Sequence, residues 1–231
     1  MNIVGAEPPS TETIRERHER LLGRLRTVAE ANGHDPERLR IVAVTKTWPV
    51  AIARATVEAG LTRLGESRVQ EAEPKIAELP EAEWHFIGRL QSNKARRAVR
   101  QFSVIHSVDS VELLRRIGGL LAEEGRSPGI LLQVNLSGDV AKVGLAPDEL
   151  LAAALPTEGL VGLMTIAPMG ASSEEARAVF SRLRTLRDEL QDAAGIGLPE
   201  LSMGMSADAE AAAAEGATLV RIGTALFGPR G

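Results

Sequence analysis

The chain contains no cysteine. Disulfides, thiolate nucleophiles and cysteine-ligated metals are therefore excluded, and no metal site is expected. Tyrosine is absent as well, so no phenol can serve as acid, base or phosphate ligand. Aromatic residues make up 3% of the chain, as four phenylalanines and two tryptophans. That is too few for the stacking platforms of single-stranded nucleic-acid binders. No apolar run is long enough to span a bilayer. The N-terminal MNIVGAEPPS lacks the basic segment and apolar core of a secretory signal, which leads us to expect a cytoplasmic protein. A net charge of −4 gives no electrostatic reason to expect nucleic acid or an anionic membrane as partner. Lysine is scarce: Lys46, Lys75, Lys94 and Lys142 are the only four. Any chemistry that needs a titratable amine has those candidates alone.

What remains is an ordinary globular composition, 44% hydrophobic and 25% charged over 231 residues. The spacing of Ile14, His18, Leu21, Leu22, Leu25, Val28 and Ala29 predicts an amphipathic helix from Thr13 to Asn32, opened by a Thr13/Glu16 capping box and stopped by Gly33. Strands are predicted at Leu39–Thr45, Leu61–Glu66, Glu83–Gly88, Val104–Ser107, Gly129–Ser137, Val161–Ala167, Glu200–Ser206 and Thr218–Leu226, with helical segments between them. Strands that alternate with helices pair in parallel through crossovers. Eight such units predict a compact single-domain (β/α)₈ barrel over residues 1–231, with the first helix as an addition. An open doubly wound sheet is the competing architecture.

In a barrel the active face is the C-terminal end of the strands. Lys46 follows the buried run Leu39-Arg-Ile-Val-Ala-Val-Thr45, on the side of Val42 and Val44 by the period-two rule. Desolvation there would lower its pKa towards a free amine able to form a Schiff base with an aldehyde. The other reading is a lysine that snorkels from a strand end into water. Ser206, in Ser202-Met-Gly-Met-Ser206, and Gly223-Thr224 lie where barrels commonly bind phosphate, after strands seven and eight. Ser206 is expected to cap the helix that begins near Ala207 and to offer its hydroxyl to an anion. A simple cap and a packing glycine would also account for these residues. Arg221 precedes Gly223 and is placed to enter the barrel mouth, or else to form a structural ion pair.

Seven segments in order carry a family resemblance: Ala43-Val-Thr-Lys-Thr47, Gly65-Glu-Ser-Arg-Val-Gln-Glu71, Trp84-His-Phe-Ile-Gly-Arg-Leu-Gln-Ser-Asn-Lys94, Gln133-Val-Asn-Leu-Ser137, Gly162-Leu-Met-Thr-Ile166, Leu201-Ser-Met-Gly-Met-Ser206 and Val220-Arg-Ile-Gly-Thr-Ala225. The chain resembles the pyridoxal phosphate homeostasis proteins of the YggS/PROSC type. The resemblance implies a barrel like the N-terminal domain of alanine racemase, with pyridoxal 5′-phosphate (PLP) held as an aldimine on Lys46. It implies a phosphate cradle of Ser206, Gly223 and Thr224, with Arg221 near the pyridine nitrogen. It departs from the family's usual pattern at Ser67, where asparagine is common. Arg68 stands where some members carry tyrosine.

The function implied is buffering and delivery of PLP in vitamin B6 and amino-acid homeostasis, without a dedicated reaction. PLP-dependent apo-enzymes would be the recipients, and the protein a monomer or weak dimer. The alternatives are a PLP-dependent amino-acid racemase and an aldolase-like barrel whose lysine attacks the substrate's own carbonyl. A two-sided racemase needs a second acid/base opposite the lysine, for which His85 and His106 are the candidates, although structural roles suit both. Arg89, Lys94, Arg96, Arg97 and Arg100 read as a solvated helix face. Lys142, in a loop with glycines at 138 and 144, is a candidate second amine for loading or release.

Overall fold

The computed structural model describes residues 8–137, 143–154 and 158–229. Its first element is α1 (Thr11–Ala31), which packs Ile14, Leu21, Leu25 and Ala29 onto the rest of the chain. The cap is Ser10, whose Oγ accepts from the Thr13 N–H at 3.2 Å, in place of the expected Thr13/Glu16 box. The helix thus begins a little earlier than its apolar spacing indicates, since a polar first turn carries no periodic signal. Gly33 takes φ +79° just after the helix, as a C-terminal stop requires.

Eight strands follow: β1 (Arg40–Val44), β2 (Arg63–Glu66), β3 (Glu83–Phe86), β4 (Val104–Val108), β5 (Gly129–Gln133), β6 (Leu160–Met164), β7 (Glu200–Ser202) and β8 (Leu219–Ile222). Each pairs in parallel with the next, and β1 closes on β8 with Val42 opposite Arg221. The expected barrel is present. Between the strands lie α2 (Val50–Glu58), α3 (Val69–Glu78), α4 (Ala95–Gln101), α5 (Val111–Glu124), α6 (Leu150–Ala154), α7 (Ser173–Ala194) and α8 (Ala209–Ala214), with α9 (Thr224–Phe227) after β8.

The helices form for local reasons. In α5, Leu113, Leu114, Ile117, Leu120 and Leu121 are buried along one stripe; Ser110 caps the start and Gly125, at φ +60°, ends it. The basic residues of α4 lie on a solvent-facing side, as expected, and are ion-paired there. Arg96 and Arg100 pair with Glu124 of α5, and Arg97 with Glu73 of α3. Exposed pairs of this kind contribute at most about 1 kcal/mol each, so they orient α4 more than they stabilise it.

Strand parity divides the residues into two cores. Ile41, Ala43, Leu64, Trp84, Phe86, Ile105, Leu132, Leu163, Leu201, Val220 and Ile222 pack outward under the helices. The inner set mixes apolar residues, Val42, Val44, Leu131, Met164 and Leu219, with polar ones. His106 on β4 reaches Ser202 on β7, and Arg40 on β1 reaches Glu200 on β7. Contacts between strands that are not neighbours must cross the lumen. Arg40, Arg63, Glu83 and Glu200, at the first residues of their strands, close its floor with the ion pairs Arg40–Glu200 (2.5 Å) and Arg63–Glu83 (3.0 Å).

Several strands stop short of their expected ends. The eighth was expected to reach Leu226, but it ends at Ile222 and the chain turns into α9. Arg221 still faces the lumen, while Gly223 and Thr224 leave the sheet and form the rim.

Candidate functional site

Lys46 lies two residues beyond β1, on a turn closed by the Trp48 N–H donating to the Thr45 carbonyl at 3.1 Å. It is half-buried, and because it stands on the turn after the strand, as expected, strand alternation alone does not fix its side. Thr47 takes φ +67°, the only non-glycine among the described residues with positive φ. A β-branched residue is strained in that region, and such strain persists where its surroundings over-determine the backbone.

Thr45 supplies that constraint. It is fully buried; its N–H donates to the Gly65 carbonyl at 3.1 Å and its Oγ1 to Glu66 Oε1 at 2.7 Å. Its carbonyl accepts from Lys75 Nζ at 2.9 Å, and Lys75 is paired with Glu66 Oε1 at 2.6 Å. The second lysine near the site is therefore a buried structural cation. On the other side, the Trp48 ring rests 5.9 Å from that of Phe227 and joins the turn to α9.

Arg221 is 5% exposed and points into the lumen. Its Nη2 donates to the Thr165 carbonyl at 2.9 Å and its Nη1 to Ser202 Oγ. No carboxylate among the described residues lies within ion-pair distance, so the structural ion pair considered for Arg221 is not formed. Burial pushes its pKa down to about 10, against a weaker opposing influence from the Asp208 charge. A buried guanidinium without a counter-ion costs several kcal/mol, and an anionic ligand would offset that cost.

Ser206 does not cap α8. Its Oγ accepts from the Ala225 N–H at 3.2 Å and so ties the loop after β7 to the start of α9. The preceding Gly204 is required by the backbone: φ is +87°, and a Cβ there would stand 2.5 Å from that of Ala212. At Gly223 an added Cβ would meet Val44 only at ordinary contact distance, 3.6 Å. Protein packing therefore does not demand glycine there, and the open side faces the rim. Ser206 and Thr224 are exposed. An amine, two exposed hydroxyls, a bare backbone and an uncompensated guanidinium thus gather where β1, β7 and β8 end. This donor set suits an anionic aldehyde such as PLP.

Beside the rim, a cavity of about 590 Å³ is lined by residues that include Asn135, Ile166, Met169, Met205 and Asp208. A larger one, about 720 Å³, lies over the ends of β2 to β4 between Ser67, Arg68, Arg89, Lys94 and Ser110, away from Arg221 and Ser206. The Ser67 backbone passes so close to Gly88 that a Cβ there would stand 2.1 Å from the Ser67 carbonyl, so only glycine fits at position 88. Lys142 lies outside the described residues.

Two side-chain associations went unrecognised in the sequence. One is the Glu66–Lys75–Thr45 clamp. The other is a buried pair inside the barrel: His85 Nδ1 lies 2.8 Å from His106 Nε2, and His106 Nδ1 lies 2.8 Å from Ser202 Oγ. Burial holds both histidines below the ordinary imidazole range, His106 well below it, where the positive charges near it add to the effect. Strand parity could have found them, because Glu83, His85 and His106 share the lumen face.

The fold and rim define a barrel of the alanine racemase type, and the model of the alanine racemase N-terminal domain matches residues 22–231. The chain is 44% identical over 230 residues to the pyridoxal phosphate homeostasis protein of Pseudomonas aeruginosa, covering 94% of this chain and 96% of that one. The structure of PipY from Synechococcus elongatus with PLP bound superposes with a TM-score of 0.82 at 43% identity, covering 93% of this chain and all of that one. D-threo-3-hydroxyaspartate dehydratase from Delftia shares the fold alone, with a TM-score of 0.68 at 21% identity over 94% of this chain and 59% of the dehydratase. The chain belongs to the pyridoxal phosphate homeostasis protein family.

Proposed function

We propose that this protein is a cytoplasmic carrier of PLP that buffers the cofactor and delivers it to apo-enzymes, with residues 1–231 forming one binding domain. Lys46 holds the aldehyde as an imine. Ser206, Gly223 and Thr224 receive the phosphate, and Arg221 faces the pyridine nitrogen. The observation that carries this reading is the buried Arg221 without a carboxylate partner, beside a rim that offers an amine and hydroxyls. The bound cofactor supplies an electrophilic carbonyl and, in enzymes, an electron sink. A guanidinium only donates hydrogen bonds, so Arg221 leaves the ring nitrogen unprotonated and the sink weak. That suits storage better than turnover.

The described residues offer little to a racemase. The chain has no tyrosine, and His85 and His106 are fully buried against each other inside the lumen. Among the described residues no helix is long and apolar enough to cross a membrane, which accords with a carrier that meets its recipients in solution.

Titration of the apo-protein with PLP tests the reading. A saturable visible imine band is expected, lost in Lys46→Ala, together with transfer of cofactor to an added apo-enzyme and no racemisation of L-alanine. Steady racemisation would favour the enzyme. Absence of any imine band would reject both.

A further inference from the structure

Behind Arg221 the lumen contains a linear series of polar groups that the proposed cofactor site does not itself use. From the rim to the floor it runs Arg221 Nη1, Ser202 Oγ, His106, His85 and the Glu83 carboxylate. Its members come from β8, β7, β4 and β3, so it crosses the barrel.

Donor and acceptor chemistry gives the series a direction. Arg221 can only donate, so Ser202 Oγ accepts from it and has its own proton free. The two imidazoles face each other at 2.8 Å through His106 Nε2 and His85 Nδ1, a gap that holds one proton. Two arrangements remain. In one, Ser202 donates to His106 Nδ1, His106 Nε2–H to His85 Nδ1, and His85 Nε2–H points at Glu83. In the other, both histidines carry their proton on Nδ1, and a bare His85 Nε2 lone pair faces the carboxylate at 3.2 Å. The second sets two acceptors against each other in a buried place, which is costly. His85 Nε2 is aligned poorly for a strict hydrogen bond and has no other partner, so Glu83 Oε1 is the sole acceptor at hand. Glu83 also pairs with Arg63 at 3.0 Å, and it is held below the usual carboxylate range, first by its contact with His85, so it stays ionised near neutral pH.

We propose that His85 and His106 are positioning residues that, through Ser202, hold Arg221 in one hydrogen-bonding arrangement, with the Glu83 carboxylate at the barrel floor setting the direction of the whole series. The guanidinium then has Nη1 committed to Ser202 and Nη2 to Thr165, and its remaining N–H groups are those left for a ligand at the rim. This inference rests on Arg221 contacting the cofactor. It adds that the contact is governed from the opposite end of the barrel.

The tautomers can be read directly. With ¹⁵N-histidine label in the intact protein at pH 7.5, His85 and His106 should both carry their proton on Nε2, the four histidines being assigned through single variants. An Nδ1–H tautomer on either would overturn the proposal. Variants test the consequence. Ser202→Ala, a small change in volume, should weaken PLP binding roughly tenfold and shift the pH midpoint of the bound visible band, because it leaves a guanidinium N–H and His106 Nδ1 buried and unpaired. His106→Phe should do the same if its thermal melt shows it folded. His106→Asn, which restores an acceptor near Nδ1, should recover most of the affinity. Arg221→Met separates the two claims. If it leaves affinity and spectrum unchanged, Arg221 is not at the cofactor and the functional reading fails there. If it weakens binding while Ser202→Ala and a folded His106→Phe behave like the parent with an unmoved pH midpoint, the positioning role is wrong.

Discussion

Lys75 Nζ stands 2.6 Å from Glu66 Oε1 and also donates to the carbonyl of Thr45, the residue before Lys46. One buried lysine thus holds the backbone from which another lysine projects. Lys75→Met would leave the Glu66 carboxylate in the interior with Thr45 Oγ1 as its one remaining donor. Breaking a buried pair from one side costs about 3–5 kcal/mol. A fall of that size in denaturant stability is expected for Lys75→Met, and a much smaller one for the double change Glu66→Gln/Lys75→Met. A double-variant loss equal to the sum of the Lys75→Met and Glu66→Gln losses would show that the pair is not coupled.

Thr47 is expected to be a site where stability can be gained. Its φ of +67° suits asparagine far better than a β-branched residue. Thr47→Asn should stabilise the fold by about 1 kcal/mol, measured as a higher urea midpoint at constant m-value. A destabilised variant would indicate that the threonine side chain contributes more than its backbone costs.

The buried histidines predict a pH dependence. Their native pKa values are depressed, so the unfolded chain takes up protons first as the pH falls through about 6.5. Stability is therefore complete above that pH and declines below it towards the native pKa values, by up to about 1.4 kcal/mol per pH unit for each histidine. The groups facing the pair are Glu83, Arg63, Arg40 and Arg221; the carboxylates with depressed pKa values add their own losses nearer pH 4. Chemical denaturation at pH 7.5, 6.5 and 5.5 should show the decline, and His106→Asn should flatten it. A parent profile that is flat over this span would contradict the assignment of neutral buried imidazoles.

The barrel could be read from the chain because its strands are short, largely buried segments that alternate with helical ones. Strand ends were overestimated because apolar character continues past the sheet. Val134 makes only an isolated bridge to Leu145, and Ile166 and Met205 are apolar but exposed on the rim. The rim positions of Lys46, Ser206, Arg221, Gly223 and Thr224 followed from their places at strand ends. The partners of these residues did not. His106 meets Ser202 across 96 positions of sequence, and Lys75 meets Thr45 across 30, through helix and strand packing that periodicity does not encode. Ser206 looked like a helix cap because it precedes a helix, but its hydroxyl is taken by α9 instead.

The central claim is that Lys46 holds the cofactor. Borohydride reduction of the PLP-loaded protein, followed by peptide mapping of all four lysines, tests it most directly. The account predicts the reduced pyridoxyl group on Lys46, with Lys75 unmodified because it is buried and paired. Label found mainly on Lys75, Lys94 or Lys142 would contradict it.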